Sequence, residues 1–290
     1  MERVLAYFRP TDIEEALELL GRPGATPIGG GTRRNPGGFE GASPGAVGTP
    51  HDSERTGTMI VDLQALRLSG IRPAGSPDAG SQPGAGADGG GGALIGATTS
   101  LQEIADNDVV PATVREAARR ERPSTLRTQA TIGGLIASGD PDSELLAALL
   151  AHDAVVTLTS RDTDAALVTT DHLLTEVLDH LLPIRAGALI TTIWIATTGT
   201  SAAARTARTD ADRPIVAAVV RRGVDGRTRA ALTGLGDHPI LLDVDGPADL
   251  EIAHLAARDD FRGSSEYRNH LAHVLVSRAA GALGATKEAS

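Results

Sequence analysis

The stretch that most limits what this chain can fold into is Arg127–Val156, RTQATIGGLIASGDPDSELLAALLAHDAVV. Apolar Ala130–Ile132 runs into Gly133-Gly134, where the missing Cβ atoms let the backbone turn and let a ligand lie against it. Asp140-Pro141 reads as an N-cap and first helical residue, with Asp142 and Glu144 in the favourable first turn. Leu145, Leu146, Leu149 and Leu150 recur at helical spacing as one buried stripe, and Ala154–Thr159 follows as a β-branched strand. A glycine turn facing a helix N-terminus suits a phosphate group. The same spacing also fits an ordinary tight turn before a helix, since short glycine motifs match by accident.

Upstream, Val4–Phe8 reads as a strand, and Thr11 with Glu14 as a T-x-x-E capping box. The helix it opens carries Ile13, Ala16, Leu17 and Leu20 and stops at Gly21. Strand Thr26–Ile28 leads into a second glycine turn, Gly29-Gly30-Gly31-Thr32, which fits a ligand cradle or a plain surface loop. Residues 34–57 and 73–92 are rich in Gly, Pro and Ser and read as long loops or insertions on either side of strand Thr58–Leu63. Ala93–Gly96 is a strand, Ser100 and Glu103 box a short helix at Leu101–Asp106, and Pro111–Glu121 is an Ala- and Arg-rich helix.

Downstream, the spacing predicts a helix at Leu173–Leu182 and an apolar strand at Ala188–Ile195. Strands Pro214–Arg221 and Arg229–Leu235 are joined across Asp225-Gly226, a hairpin signal, and Pro239–Val244 is a further strand. Helices follow at Ala248–Ala257 and beyond Ser264, the last with Leu271, Val274, Leu275 and Arg278 at i, i+3, i+4 and i+7. Alternating short strands and helices thus give way near residue 180 to an antiparallel sheet and then helices. The fold class is α+β, in two domains at 1–178 and 179–290.

With 290 residues, 41% of them hydrophobic, the chain can bury a real core. A net charge of −10 without a basic stripe argues against nucleic acid as a partner. No apolar run reaches membrane-spanning length and the N-terminus lacks a signal-peptide core, so a cytoplasmic protein is expected. The complete lack of cysteine removes disulfides, thiolate catalysis and cysteine-ligated clusters on this chain; any such cluster belongs to a partner. The eight histidines include no H-x-x-x-H pair, so no metal site is expected. Ser138, Ser143, His152 and Asp153 lack the G-x-S-x-G elbow of a hydrolase. Neither glycine turn fits a P-loop or a Rossmann fingerprint. Two such turns could still cradle a pyrophosphate with backbone N–H groups alone.

Several motifs in order carry a resemblance to a known family. They are Gly29-Gly30-Gly31-Thr32-Arg33, then Ile60–Leu63, then Ile95-Gly96-Ala97-Thr98-Thr99-Ser100-Leu101-Gln102-Glu103-Ile104. Arg127–Ala154 and Asp260–Ala279 complete the set. In these the chain resembles, over essentially its whole length, the FAD-binding medium subunit of molybdenum hydroxylases of the carbon monoxide dehydrogenase and xanthine dehydrogenase type. The resemblance implies a two-subdomain FAD-binding fold of the vanillyl-alcohol oxidase type, followed by a smaller domain of antiparallel sheet and helices. It implies FAD contacts from Gly29, Gly30, Gly31, Thr32 and Arg33, and from Thr131, Ile132, Gly133, Gly134 and Leu135. It further implies Glu144 as the acidic member, a backbone contact to the flavin ring near Ile190, and Ala207–Asp212 close to the flavin. No catalytic residue is implied on this chain. Leu135 stands where the family carries Asn or Asp, Arg33 replaces an acid, and Glu144 replaces Asp.

The function implied is an electron-transfer oxidoreductase subunit. A molybdopterin-binding large subunit would hydroxylate a substrate. An iron–sulfur small subunit would pass electrons to FAD, and FAD would deliver them to an external acceptor. The assembly implied is a heterotrimer, alone or paired, without nucleic acid or membrane insertion. A self-sufficient FAD oxidoreductase and an FAD-free scaffold subunit are the alternatives on the same fold.

Overall fold

The computed structural model describes residues 3–32, 57–74, 91–121, 123–180, 187–210, 212–244 and 257–285. Most of the two Gly-rich loops read at 34–57 and 73–92, and all but the last residue of the helix expected at Ala248–Ala257, lie outside the described residues. Among those described, no helix is long and apolar enough to cross a membrane.

The chain builds three sheets. The first contains β1 (Arg3–Phe8), β2 (Ala25–Ile28) and β3 (Gly57–Asp62), all parallel, in the order β1-β3-β2, with α1 (Ile13–Leu20) between β1 and β2 in sequence. The cap of α1 is Asp12 rather than Thr11: Asp12 Oδ1 accepts the N–H of Glu15 at 2.8 Å, and Glu15 Oε2 takes the N–H of Thr11. A carboxylate accepts strongly at an N-cap, so the box closes one residue later than the T-x-x-E spacing suggests.

The second sheet is antiparallel and five-stranded. It is built from β4 (Ile71–Pro73), β5 (Gly92–Gly96), β6 (Val155–Arg161), β7 (Leu167–Leu173) and β8 (Leu189–Ala196), in the order β4-β5-β8-β6-β7. Five helices come between or beside these strands: α2 (Leu101–Asp106), α3 (Ala112–Arg120), α4 (Ile132–Ser138), α5 (Glu144–Ala151) and α6 (Leu174–Asp179). The main core lies on one face, where Ile95, Val156, Ile193 and Ile195 meet Ile104, Val114, Ile136 and Leu149. On the other face Trp194, the sole tryptophan, is 4% exposed among Leu94, Val155 and Ala196. It lies against Gly92, where a Cβ would fall 2.3 Å from the indole Nε1.

The third sheet contains β9 (Thr200–Thr206), β10 (Val216–Arg222), β11 (Thr228–Leu232) and β12 (Ile240–Asp243), antiparallel in the order β12-β11-β10-β9. Its strands alternate between two cores. Val216, Ala218, Val220, Ala230 and Leu232 face α7 (Ser265–Ala285), whereas Val219 and Ala231 join the main core beside α5. A sheet covered on both faces explains the near-continuous apolar run of β10. The Asp225-Gly226 hairpin forms as expected, with Gly226 at φ 83°.

Four sequence readings change. All eight residues of α5 are buried, because the helix lies between two sheets rather than showing one stripe to a core. Its cap is Ser143, whose Oγ accepts the N–H of Leu146 at 3.0 Å, and not Asp140. Strands β7 and β9 are additions to the expected elements: β7 is an exposed edge, LVTTDHL, and β9 is Ala-rich, so neither carries the usual apolar signal. Finally, the break expected at 178/179 precedes β8, yet β8 is the central strand of the second sheet, and the passage to the third comes at Gly199. That residue has φ +85°, and a Cβ there would fall 2.3 Å from the carbonyl oxygen of Arg222.

Candidate functional site

The first glycine segment leaves the carboxyl end of β2, where parallel strands open toward a ligand. It runs edge to edge against residues 129–131. A Cβ on Gly30 would fall 1.6 Å from the carbonyl oxygen of Gln129, and one on Gly29 would fall 2.5 Å from Thr131 Oγ1. Only glycine lets these two backbones meet. Gly31 is exposed with φ +68°. Among the described residues, the N–H groups of Gly30, Gly31, Thr32 and Thr131 find no acceptor. Unspent backbone donors at such a seam are what an anionic diphosphate needs.

Gly133-Gly134 is not a turn but the first turn of α4, capped by Thr131, whose Oγ1 accepts the N–H of Gly134 at 3.2 Å. The N–H of Ile132 donates to Thr99 O at 3.1 Å and that of Gly133 to Ala97 O at 2.9 Å. Gly133 is needed for close packing, since its Cβ would fall 2.9 Å from Ala97 O, while Gly134 is exposed. The second segment therefore spends its Ile132 and Gly133 donors on holding itself to the β5–α2 connection. The Ile95–Ile104 motif supplies that connection. An open cleft of about 430 Å³ adjoins it, lined by Ser100, Gln102, Glu103, Asp106, Asn107 and Thr128 beside Ile71.

The structure thus brings Gly29–Thr32 together with Thr131, with Gly134 exposed near by on α4. Arg33 lies outside the described residues. Ile132, Leu135 and Ile190 point their side chains into the main core, leaving only their backbones to a ligand; Leu135 is 3% exposed. The Asn-to-Leu departure therefore falls on a core position.

Glu144 stands elsewhere, at the start of α5, 8% exposed between Arg205 Nε (3.1 Å) and Arg120 Nη1 (3.7 Å). Burial pushes its carboxyl above the usual range, with both arginines pulling the other way. It belongs to a charge cluster that sequence reasoning missed. Asp140 pairs with Arg213 at 2.9 Å, Asp142 with both Arg258 and Arg262, and Asp260 with Arg268 at 2.6 Å. The signal was the run Asp140-Pro141-Asp142-Ser143-Glu144, which reads as an N-cap and first-turn acids, while its partners other than Arg120 lie about 60 to 120 residues away in sequence. In Ala207–Asp212, Arg208 pairs with Asp212 at the surface, and it is the neighbouring Arg205 that reaches inward.

Comparison with known proteins agrees with this geometry. The family described as the FAD binding domain in molybdopterin dehydrogenase matches residues 86–197, which span β5 to β8 and the second segment. The uncharacterized protein YgfM of Escherichia coli (strain K12) is 30% identical over 287 residues, covering 93% of each chain. Among solved structures, reconstituted CO dehydrogenase from Oligotropha carboxidovorans superposes with a TM-score of 0.73 at 23% identity, covering 97% of this chain and 98% of that one. Quinoline 2-oxidoreductase from Pseudomonas putida 86 gives 0.71 at 18% identity over 96% of both chains. At these identities the structures show a shared fold. With two glycine segments meeting in a donor-lined cradle, a matching FAD-domain family and a relative aligned end to end, the chain belongs to the FAD-binding subunits of the molybdenum hydroxylases, and is an oxidoreductase subunit that binds FAD.

Proposed function

We propose that this chain is the electron-transfer subunit of a multi-subunit molybdenum hydroxylase. It takes electrons from iron–sulfur clusters on a small partner subunit and passes them to an external acceptor, while a molybdopterin-binding large subunit hydroxylates the substrate. FAD supplies the two-electron chemistry; the chain binds, orients and tunes it. The observation that carries the reading is the contact between the two glycine segments, with four N–H donors at the seam that find no acceptor among the described residues. The lack of cysteine fits a division of labour in which the clusters lie on another chain.

In this reading Gly29, Gly30, Gly31, Thr32 and Arg33 face the pyrophosphate from one side. Thr131 and Gly134 face it from the other, while Ile132 and Gly133, whose N–H groups bind Thr99 O and Ala97 O, and the buried Leu135 hold that segment in place. Glu144 is the acidic residue held by Arg205 and Arg120, and the backbone near Ile190 meets the flavin ring. The FAD-binding part runs through β8, and the third sheet with α7 forms the smaller domain.

Affinity purification of the tagged chain from its native cell tests this. The expected eluate is yellow-brown and holds a molybdopterin chain and an iron–sulfur chain together with this one. A lone chain that oxidises a substrate by itself would overturn the subunit reading, and a chain that stays colourless with added FAD would overturn the cofactor site.

A further inference from the structure

The second sheet contains one irregularity. Thr157 pairs with Thr192, but the next residue of β6, Leu158, pairs with Ile190, so Thr191 is an extra residue bulged out of β8. The consequence is visible in the side chains. In a regular strand Ile190 would share a face with Thr192, Trp194 and Ala196. Instead Ile190 joins the main core with Ile193 and Ile195, while Trp194 and Ala196 face the opposite way. The bulge has turned residue 190 over, and with it the direction of its backbone N–H and C=O.

Thr191 is held on two sides. Its hydroxyl donates to the carbonyl of Thr157 at 3.2 Å, and its own carbonyl accepts the N–H of Ala97 at 3.0 Å. The carbonyl of Ala97 in turn accepts the N–H of Gly133 at 2.9 Å. The bulge is therefore two hydrogen bonds away from the second glycine segment, inside the residues matched by the FAD-binding family. Thr191 is buried and interior to the sheet, so no edge has to be protected there. Bulges in such places commonly re-aim groups at a site.

We propose that Thr191 is a positioning residue for the flavin: its pinned bulge fixes the backbone at Ile190 and ties that segment, through Ala97, to the glycine cradle. This rests on the reading above, in which the backbone near Ile190 meets the flavin ring. Thr191 itself touches core and backbone and acts through its neighbours.

The test compares Thr191→Val, which removes the hydroxyl at constant shape, with Thr191→Ser, which keeps it, in the full chain titrated with FAD. Melting temperature, bound FAD per chain, the FAD dissociation constant, the visible flavin spectrum and the reduction midpoint are read together. Thr191→Val is expected to bind FAD to the same stoichiometry but about threefold to tenfold more weakly, the effect of one buried hydrogen bond. Its flavin band and midpoint shift, and Thr191→Ser restores all three. A folded Thr191→Val with wild-type affinity, band and midpoint overturns the proposal, as does an equal change in both variants. Should Thr191→Val not fold, Thr191→Ala removes the same hydroxyl and is judged by the same outcomes. A wild-type chain that takes up no FAD fails differently: it overturns the cofactor site itself, and the proposal with it.

Discussion

At the scale of single residues, two substitutions separate cradle from core. Gly30→Ala puts a methyl group into the space of Gln129 O, so the two glycine segments must part. Overpacking of this kind costs roughly 1–3 kcal/mol, and the donors at the seam are displaced. The expected outcome is a lower melting temperature together with a large loss of bound FAD, read by thermal unfolding and flavin absorbance. Leu135→Asn brings the residue back to the family's usual chemistry, yet here it lands in the core. An amide there loses packing and gains an unpaired polar group, for about 2–5 kcal/mol of destabilisation. Chemical denaturation should show that loss without any gain in FAD retention, which places the family difference in packing and not in cofactor contact.

At the scale of elements, the joint between α5, α3, β8 and β9 carries a pH signature. His152, at the C-cap of α5, is buried, and its Nδ1–H donates to Ala196 O at 2.8 Å. That fixes the neutral tautomer, so Nε2 accepts from Thr113 Oγ1 at 3.0 Å and Thr113 accepts from Ser201 at 2.8 Å. Burial, chiefly, depresses the imidazole from 6.5 to about 4. Between those values the unfolded chain binds a proton that the folded chain refuses, so stability present above pH 6.5 is lost as pH falls toward 4. The full effect is roughly 3 kcal/mol. Urea unfolding of His152→Gln is expected to start from a lower stability and to lack that acid-side slope.

The elements also show what the sequence could reveal. The Ser100–Glu103 box, the Asp225-Gly226 hairpin and the apolar β8 were legible because each is specified by neighbours in the chain. Gly133-Gly134 reads as a turn from sequence because the demand for glycine comes from Ala97, some 36 residues away, and not from local backbone. The bulge at Thr191 had no local signal at all; it exists only in the register between β6 and β8. Of the candidate site, the glycines were legible as residue types, but their contact across about 100 residues was not.

At the scale of the whole molecule, ion pairs run along the seam between the second and third sheets. Asp142 is gripped by Arg258 and Arg262, Asp140 by Arg213, and Asp153 by Arg221 and Arg229. Asp142 is buried, and removing one member of a buried pair costs about 3–5 kcal/mol because the arginines keep their desolvation. Asp142→Asn should therefore lower the melting temperature markedly, and calorimetry is expected to resolve separate transitions if these ion pairs couple the second and third sheets. An unchanged, single transition would show that α5 packing alone joins them. Trp194 gives this architecture its own optical reporter. A single indole, sealed in the central strand three residues from the Thr191 bulge, emits from one known place. Its emission overlaps flavin absorption, so energy transfer from Trp194 can follow cofactor arrival and departure in real time, with no label added to the chain.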